Sequence, residues 1–557
     1  MADRGSRLVP APADIVFLVV AFASAVILGS QALNTDGDLG RHLRVGRDIL
    51  AHGLFRTDHL SWTMAGKPFV PYEWGSEVLY ALAHRAAGLP GVLVLMGVTL
   101  AATYFFLTVL LQHLRLDPLL AFGTAASAAL LSSMHWIARP HVFSLLGVVG
   151  VMALLEVTGR ESGVARPVTR DPRLLLTLAL FAIWANLHGG FLFGLVLISF
   201  YAVGDVVALT LDRDRPPHIK SLRSHSMLLL AALVGCSVNP SGPMVLPHVA
   251  GYLGKTWLVD ITAEYKSPDF HQWYGREFLI FLSLAIAGLA VVRRRMSWAH
   301  LVSFLGTTAF ALHSVRNVPL WGLTGFTLVA LHVNDSWQRL QWRPLVRLRS
   351  AFTQGASLAR PGFWTALTII GLGIAALNGG RAGSARILAD RFDPAFFPVQ
   401  VVERARAEHV NGRLFNEFTW GGYILNMWPE QTVFIDGQTD FYGVALSQLY
   451  MQLRQAEPGA ESKLDSMAID VVLLPEEAPL SRELLRSNVW MIADSADGAV
   501  RFKRRSSPAS TRRPPQRSAP ASKAPLREGP AMPPASQARH ARPSVQMHVP
   551  ASRRDPA

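Results

Sequence analysis

A chain of 557 residues that is 50% hydrophobic and only 17% charged departs from soluble proteins, in which about a quarter of residues carry charge. Its net charge of +14 does not point to nucleic acid. About half of the excess lies after residue 506 and much of the rest in short loops between apolar runs, as in membrane proteins oriented by Lys and Arg. The single cysteine, Cys236, excludes an intrachain disulfide and a Cys-rich metal site.

After residues 1–13, which hold Arg4 and Arg7, an apolar run over 14–33 reads as a retained first span rather than a signal peptide, because many runs follow. An apolar helix over 75–88 is too short to cross. Further runs lie at 91–114, 118–134, 139–157, 173–190, 190–211, 224–240, 277–292, 298–314, 318–333 and 363–380. The expected fold is mainly α, a polytopic transmembrane helical bundle of about eleven spans over 14–380. Alternate loops contain Arg115; Arg160, Arg166, Arg170 and Arg173; Arg213, Arg215, Lys220 and Arg223; Arg293, Arg294 and Arg295; then Arg339, Arg343, Arg347, Arg349 and Arg360. The loops between them, near 135–141, 186–190 and 314–318, are short and poor in Lys and Arg. The positive-inside rule then places the N-terminus inside and everything after Gly380 outside.

Residues 385–505 change character. Short apolar segments at 413–415, 432–435, 471–474, 489–492 and 500–502 read as strands, with helices over 398–409 and 443–456. A small α/β extracytoplasmic domain is expected. The stretch 506–557 is basic and rich in Pro, Ala and Ser, a composition expected to be a disordered tail.

Asp36, Asp38, His135, Arg139, His141, Asn186, His188, Asn239, Glu264, His313, Arg316 and Asn317 all fall at outer span ends. Ionisable groups at membrane depth are costly, so a one-sided gathering points to a site. The first outer loop, 34–74, opens with Asp36-Gly37-Asp38. Two carboxylates two apart suit a hard divalent cation, or a general base for an attacking hydroxyl. Either can also serve as a plain helix cap. The following helix carries Leu39, Leu43, Ile49 and Leu50 on one side and Arg41, Arg44, Arg47 and Asp48 on the other. It is expected to lie flat at the membrane surface, its arginines meeting a phosphate-headed lipid or ordinary anionic lipid.

An acidic motif after the first span, an interfacial helix, a polytopic body and an outer C-terminal domain together resemble the GT-C superfamily of membrane glycosyltransferases. The likeness is to bacterial polytopic relatives and covers about residues 14–505. It is carried by Asp36-Gly37-Asp38 with His42; by Asp58-His59-Leu60-Ser61-Trp62-Thr63, Gly66-Lys67-Pro68 and Tyr72-Glu73-Trp74; and by Ala138-Arg139-Pro140-His141 and Asn186-Leu187-His188-Gly189-Gly190. Trp420-Gly421-Gly422-Tyr423 and the run Phe434 to Tyr442 resemble C-terminal motifs, with Gln438 where a basic residue is more usual.

The resemblance implies a multi-pass enzyme of a bacterial cytoplasmic membrane and cell envelope. It would move a sugar from a polyprenyl-phosphate donor to a glycan, lipid or protein acceptor at the outer face. Asp36 would be base or metal ligand, with Asp38 in the other role. Arg139 and Arg316 would hold phosphate, and His42, His141, His188 and Glu73 would line the pocket. A divalent cation, magnesium or manganese, is the expected cofactor. A lipid or glycan transporter (flippase) would need polar residues or broken helices near the bilayer midplane. A non-catalytic membrane protein with an outer binding domain would leave the acidic loop without a task.

Overall fold

The computed structural model describes residues 9–157, 171–212, 215–251, 263–292, 295–359 and 361–505. Residues 1–8, the basic stretch holding Arg160, Arg166 and Arg170, then Arg213, Arg293, Arg294 and Arg360, and the 506–557 tail lie outside them.

Each of the apolar runs is helical. The first spans Pro12–Phe22, passes a π-helical turn at Ala23–Ile27, and ends in Gly29–Asn34. Local signals explain several starts. The Asp117 carboxylate accepts from Leu119 N and Leu120 N, and Pro118 opens the Pro118–Ser132 helix. Asp171 with Pro172 does the same for Pro172–Trp184, and Ser297 accepts from His300 N at Trp298–His313. These side chains satisfy amides that have no partner inside the helix. The helix Trp74–His113 breaks at Ala87 and Gly88, where Gly88 takes φ +63°, so a short helix precedes a long apolar one. Among the described residues, three helices are long and apolar enough to cross a membrane: Trp74–His113, Phe191–Leu211 and Trp273–Val291. Shorter apolar helices include His141–Glu156, Pro172–Trp184 and Phe363–Leu377.

After a two-stranded hairpin, β1 (Arg381–Ala382) with β2 (Ala385–Arg386), the chain builds a four-stranded sheet. Its strands are β3 (Leu414–Asn416), β4 (Val471–Pro475), β5 (Trp490–Ala496) and β6 (Ala499–Arg504), in the order β3-β4-β6-β5. β3 and β4 are parallel and the other pairs antiparallel. The expected strand at 432–435 does not join this sheet. Val433 instead bridges Ser61 in the first outer loop, and Val433 N donates to Leu60 O. Trp62 Nε1 also donates to Leu414 O at 2.9 Å. The outer loop is thereby woven into the C-terminal region.

The Asp38–His52 helix differs from the flat surface helix expected. It lies between the Trp74–His113 helix and the Gly421–Met427 helix, packed on both. Its arginines are spent on protein. Arg41 is 4% exposed. Arg44 pairs with Asp48 and donates to Pro429 O, and Arg47 donates to Asn426 Oδ1. The approach is backbone to backbone. A Cβ on Gly40 would strike the Gly422 carbonyl, and one on Gly422 would strike the Gly37 carbonyl. Only glycine allows such close packing.

Candidate active site

The acidic turn is built locally. Asp36 Oδ1 accepts from Asp38 N at 2.9 Å, which caps the start of the Asp38–His52 helix. The remaining Asp36 oxygen and one from Asp38 converge on a single residue. Arg139 Nη1 lies 2.8 Å from Asp36 Oδ2, and Nη2 lies 2.6 Å from Asp38 Oδ2. Arg139 sits in the turn before the His141–Glu156 helix. That turn is pinned by Ala138 N donating to Ala32 O and Tyr80 OH donating to Arg139 O. Glu264 comes within 3.8 Å of the same guanidinium.

The electrostatics follow from burial and this fork. Burial raises the Asp36 carboxyl, Arg139 opposes it and the Asp38 charge adds to it, leaving it pushed up to about 6. Burial also acts on Glu264, but Arg139 and its other cationic neighbours prevail and hold it at about 2.

A second layer surrounds the fork. Glu73, at the entry to the Trp74–His113 helix, is pushed up to about 7 by burial, against the pull of His42. His188 Nδ1 accepts from Gly190 N at 3.0 Å, so its ring proton sits on Nε2, facing Glu73 Oε1 at 3.6 Å. Ser144 Oγ lies 2.7 Å from the same Nδ1 and accepts from Trp184 Nε1. The His141 ring lies 6.4 Å from that of His188, and its Nε2 donates to His135 O. His42 Nδ1 is 3.4 Å from Glu77 Oε1. Arg316 lies over the Tyr265 ring at 4.7 Å, on a loop tied to the Glu264 backbone by Ser314.

Asp36, Asp38 and Arg139 are therefore in direct contact. Glu73 with His188, and His42 with Glu77, form pairs beside them. Asn186 serves the fold: it accepts from Trp74 Nε1 and donates to Ala182 O and Val238 O.

Sequence reasoning passed over a buried ion cluster. Arg41 meets Glu77 at 3.4 Å and Asp436 at 3.6 Å, and donates to Gln438. Asp436 also accepts from Gln438 N, closing an Asx turn. Burial keeps its carboxyl above the usual range despite Arg41. Glu77 could have been found from Glu73, four residues earlier on one helix face. A Cβ on Gly437 would strike Asp38 Oδ1, so this glycine forms the floor beneath that carboxylate. Beyond Gln438 opens a cavity of about 570 Å³ lined by Lys67, Phe69, His248, Gln438, Asp440 and Phe441 among others.

A further polar set lies at the opposite helix ends, contrary to the expected one-sided gathering. Glu156 joins Tyr201 OH at 2.5 Å and His300 Nε2 at 2.9 Å, and His300 Nδ1 is 2.8 Å from His332 Nε2. Asp205 and His225 pair at 2.6 Å nearby.

The expected divalent cation does not fit the acidic pair as it stands. One guanidinium already bridges both Oδ2 atoms, and Asp36 Oδ1 is taken by a backbone amide. Among the described residues no group of three or more His, Cys, Asp or Glu is arranged to hold a metal.

No family model matches the sequence, and no curated protein does either. Solved structures do match. The apo oligosaccharyltransferase of Archaeoglobus fulgidus aligns with a TM-score of 0.56 at 10% identity, over 84% of this chain and 69% of that one. The oligosaccharyltransferase AglB of the same organism, in complex with an inhibitory peptide and a dolichol-phosphate, gives 0.53 at 10% over the same shares. ArnT from Cupriavidus metallidurans, bound to undecaprenyl phosphate, gives 0.50 at 13% identity over 88% of this chain and 97% of that one. At such identities the likeness speaks for the fold, and it extends over most of the chain. The chain shares the overall fold of these oligosaccharyltransferase and ArnT structures.

Proposed function

We propose that this protein is a multi-pass membrane glycosyltransferase that moves a sugar from a polyprenyl-phosphate carrier to an acceptor hydroxyl at the outer membrane face. The observation that carries the reading is the Asp36–Arg139–Asp38 fork, set directly after the first apolar helix. The shared fold supports it, and two of the matched structures are complexes with lipid phosphates. In this reading residues 14–380 form the membrane part, with about eleven spans, and 385–505 stand outside.

The chemistry is displacement at the anomeric carbon. The acceptor oxygen gives its proton to a carboxylate and bonds to that carbon. The bond from the carbon to the carrier phosphate breaks, and its electron pair leaves with the phosphate. Asp36 is the better base: its carboxyl is tuned near 6, close to the pH at which it must work. Asp38 is held by Arg139 and by the Gly437 floor, which suits positioning. Arg139 and Arg316 supply positive charge for the departing phosphate. His42, His141, His188 and Glu73 shape the wall.

The test is transfer of radiolabelled sugar from a polyprenyl-phosphate donor by purified protein in vesicles. Wild type should transfer; Asp36→Asn, at normal protein level, should not. Equal rates would leave the acidic turn as a helix cap alone.

Translocation of labelled donor across vesicles without any transfer would instead favour a lipid or glycan flippase.

A further inference from the structure

The helix Arg343–Leu358 has no task in the proposed chemistry. It connects the Thr327–Gln338 helix to the Phe363–Leu377 helix, and its middle is stapled at the level where helices end. Arg349 donates to the Trp337 and Gln338 carbonyls, at the C-terminus of one helix, and to the Asp117 carboxylate, at the N-terminus of another. Phe352 meets Phe122 with ring centroids 5.5 Å apart. The middle of this helix therefore lies at the level of two helix ends rather than halfway along the bundle.

Its surface is sorted. Leu345, Val346, Arg349 and Phe352 are half-buried against the bundle. Arg343, Arg347, Ser350 and Gln354 are exposed on the opposite face. On one flank, at the helical spacing between these faces, Pro344, Leu348 and Ala351 are exposed too. Leu348 is 48% exposed, and just before the helix Leu340 and Trp342 are 49% and 69% exposed. No Asp or Glu occurs between Asp335 and Asp390, whereas Arg339, Arg343, Arg347 and Arg349 fall within twenty residues. Of these four, Arg349 alone is tied to a carboxylate, that of Asp117, among the described contacts.

We infer that Arg343–Leu358 is an in-plane helix that binds the anionic phospholipids of the leaflet it faces, with Leu348 and Trp342 reaching the acyl boundary and Arg343 and Arg347 at the phosphates. An apolar flank beside a basic face is the pattern of helices that lie in a membrane interface. Anionic lipid is the occupant whose charge complements this one-signed stretch, and guanidinium is well suited to phosphate oxygens. The reading needs the membrane but does not depend on glycosyl transfer.

The test uses the full chain in vesicles, with a nitroxide at Leu348→Cys in a Cys236→Ser background. In vesicles containing phosphatidylglycerol, collisions with oxygen should rise severalfold against collisions with a water-soluble nickel complex, relative to pure phosphatidylcholine. The difference should vanish in Arg343→Gln/Arg347→Gln and shrink at high salt. A label equally open to nickel in both vesicles would overturn the inference, as would a depth unaffected by lipid charge or by the double variant. A second measurement needs no cysteine change. Phosphatidylglycerol co-purifying with wild type should exceed that with Arg343→Gln/Arg347→Gln severalfold by mass spectrometry, and equal retention would count against the site.

Discussion

Arg139 spans both carboxylates of the Asp36-Gly37-Asp38 turn, Nη1 at 2.8 Å from Asp36 and Nη2 at 2.6 Å from Asp38. Only a planar fork reaches two acids in this way. Arg139→Lys keeps the charge and loses the geometry, so transfer should fall about 10- to 100-fold while membrane insertion stays normal. Asp36→Asn should cost more, about 100- to 10,000-fold, as loss of a base does. Initial rates normalised to folded protein decide both.

The pH profile should report Asp36. Its carboxyl is pushed up to about 6 mainly by burial, and a base acts in its ionised form. The rate should therefore rise with pH through about 6 and level off above it. A wild-type profile flat from pH 5 to 7 would remove Asp36 from the chemistry.

Glu73 makes a stability prediction of opposite sign to the usual ion pair. Burial raises its carboxyl from 4.5 to about 7, so the native state favours the protonated acid. Native stability is then lost as pH rises from about 4.5 to about 7. Glu73→Gln, uncharged throughout, should match wild type at pH 4 and exceed it by on the order of 1 kcal/mol at pH 8. Thermal unfolding at the two pH values shows whether the gap opens.

Gly422→Ala should drive a methyl into the Gly37 carbonyl and Arg41. Overpacking of this kind costs about 1–3 kcal/mol. Limited proteolysis should cut the C-terminal region faster, and transfer should drop with it. Gly371→Ala, where nothing lies within 4 Å, is the control and should leave both unchanged.

Arg139 also bears on metal dependence. With both Oδ2 atoms bridged, transfer should survive exhaustive chelation, and manganese paramagnetic resonance should detect no site that depends on Asp36 and Asp38. A manganese signal lost in Asp36→Asn/Asp38→Asn would show that the guanidinium yields to a metal.

The helical body was legible because apolar runs and their breakers are local. Gly88 and Pro90 mark the break between 75–88 and 91–114, and the chain bends there. Asp36, Asp38 and Arg139 could be gathered from topology, since each falls at a span end on the same expected side. The distant partners of Arg41, Arg44 and Arg47 could not. They lie in residues 425–438, nearly four hundred positions away, and an amphipathic pattern does not say whether protein or lipid covers the polar side. The Glu156 set was hidden for another reason. Glu156, Tyr201, His300 and His332 stand singly on four helices, and one polar residue in an apolar run carries little signal until packing brings the others beside it. The segment 432–435 had strand periodicity, but its one bridge partner, Ser61, belongs to a loop.

The contact of Gly37 and Gly40 with Gly422, and of Asp38 with Gly437, also sets an order in time. The acidic turn leaves the ribosome among the first forty residues; its backing leaves nearly four hundred residues later. A nascent chain of this protein holds Asp36 and Asp38 without their floor for most of its synthesis. A chain that stops short of residue 437 has every apolar helix and half of a site. On the proposed function, activity therefore arrives only after residue 437 has been made, and products ended before it lack the floor of the site.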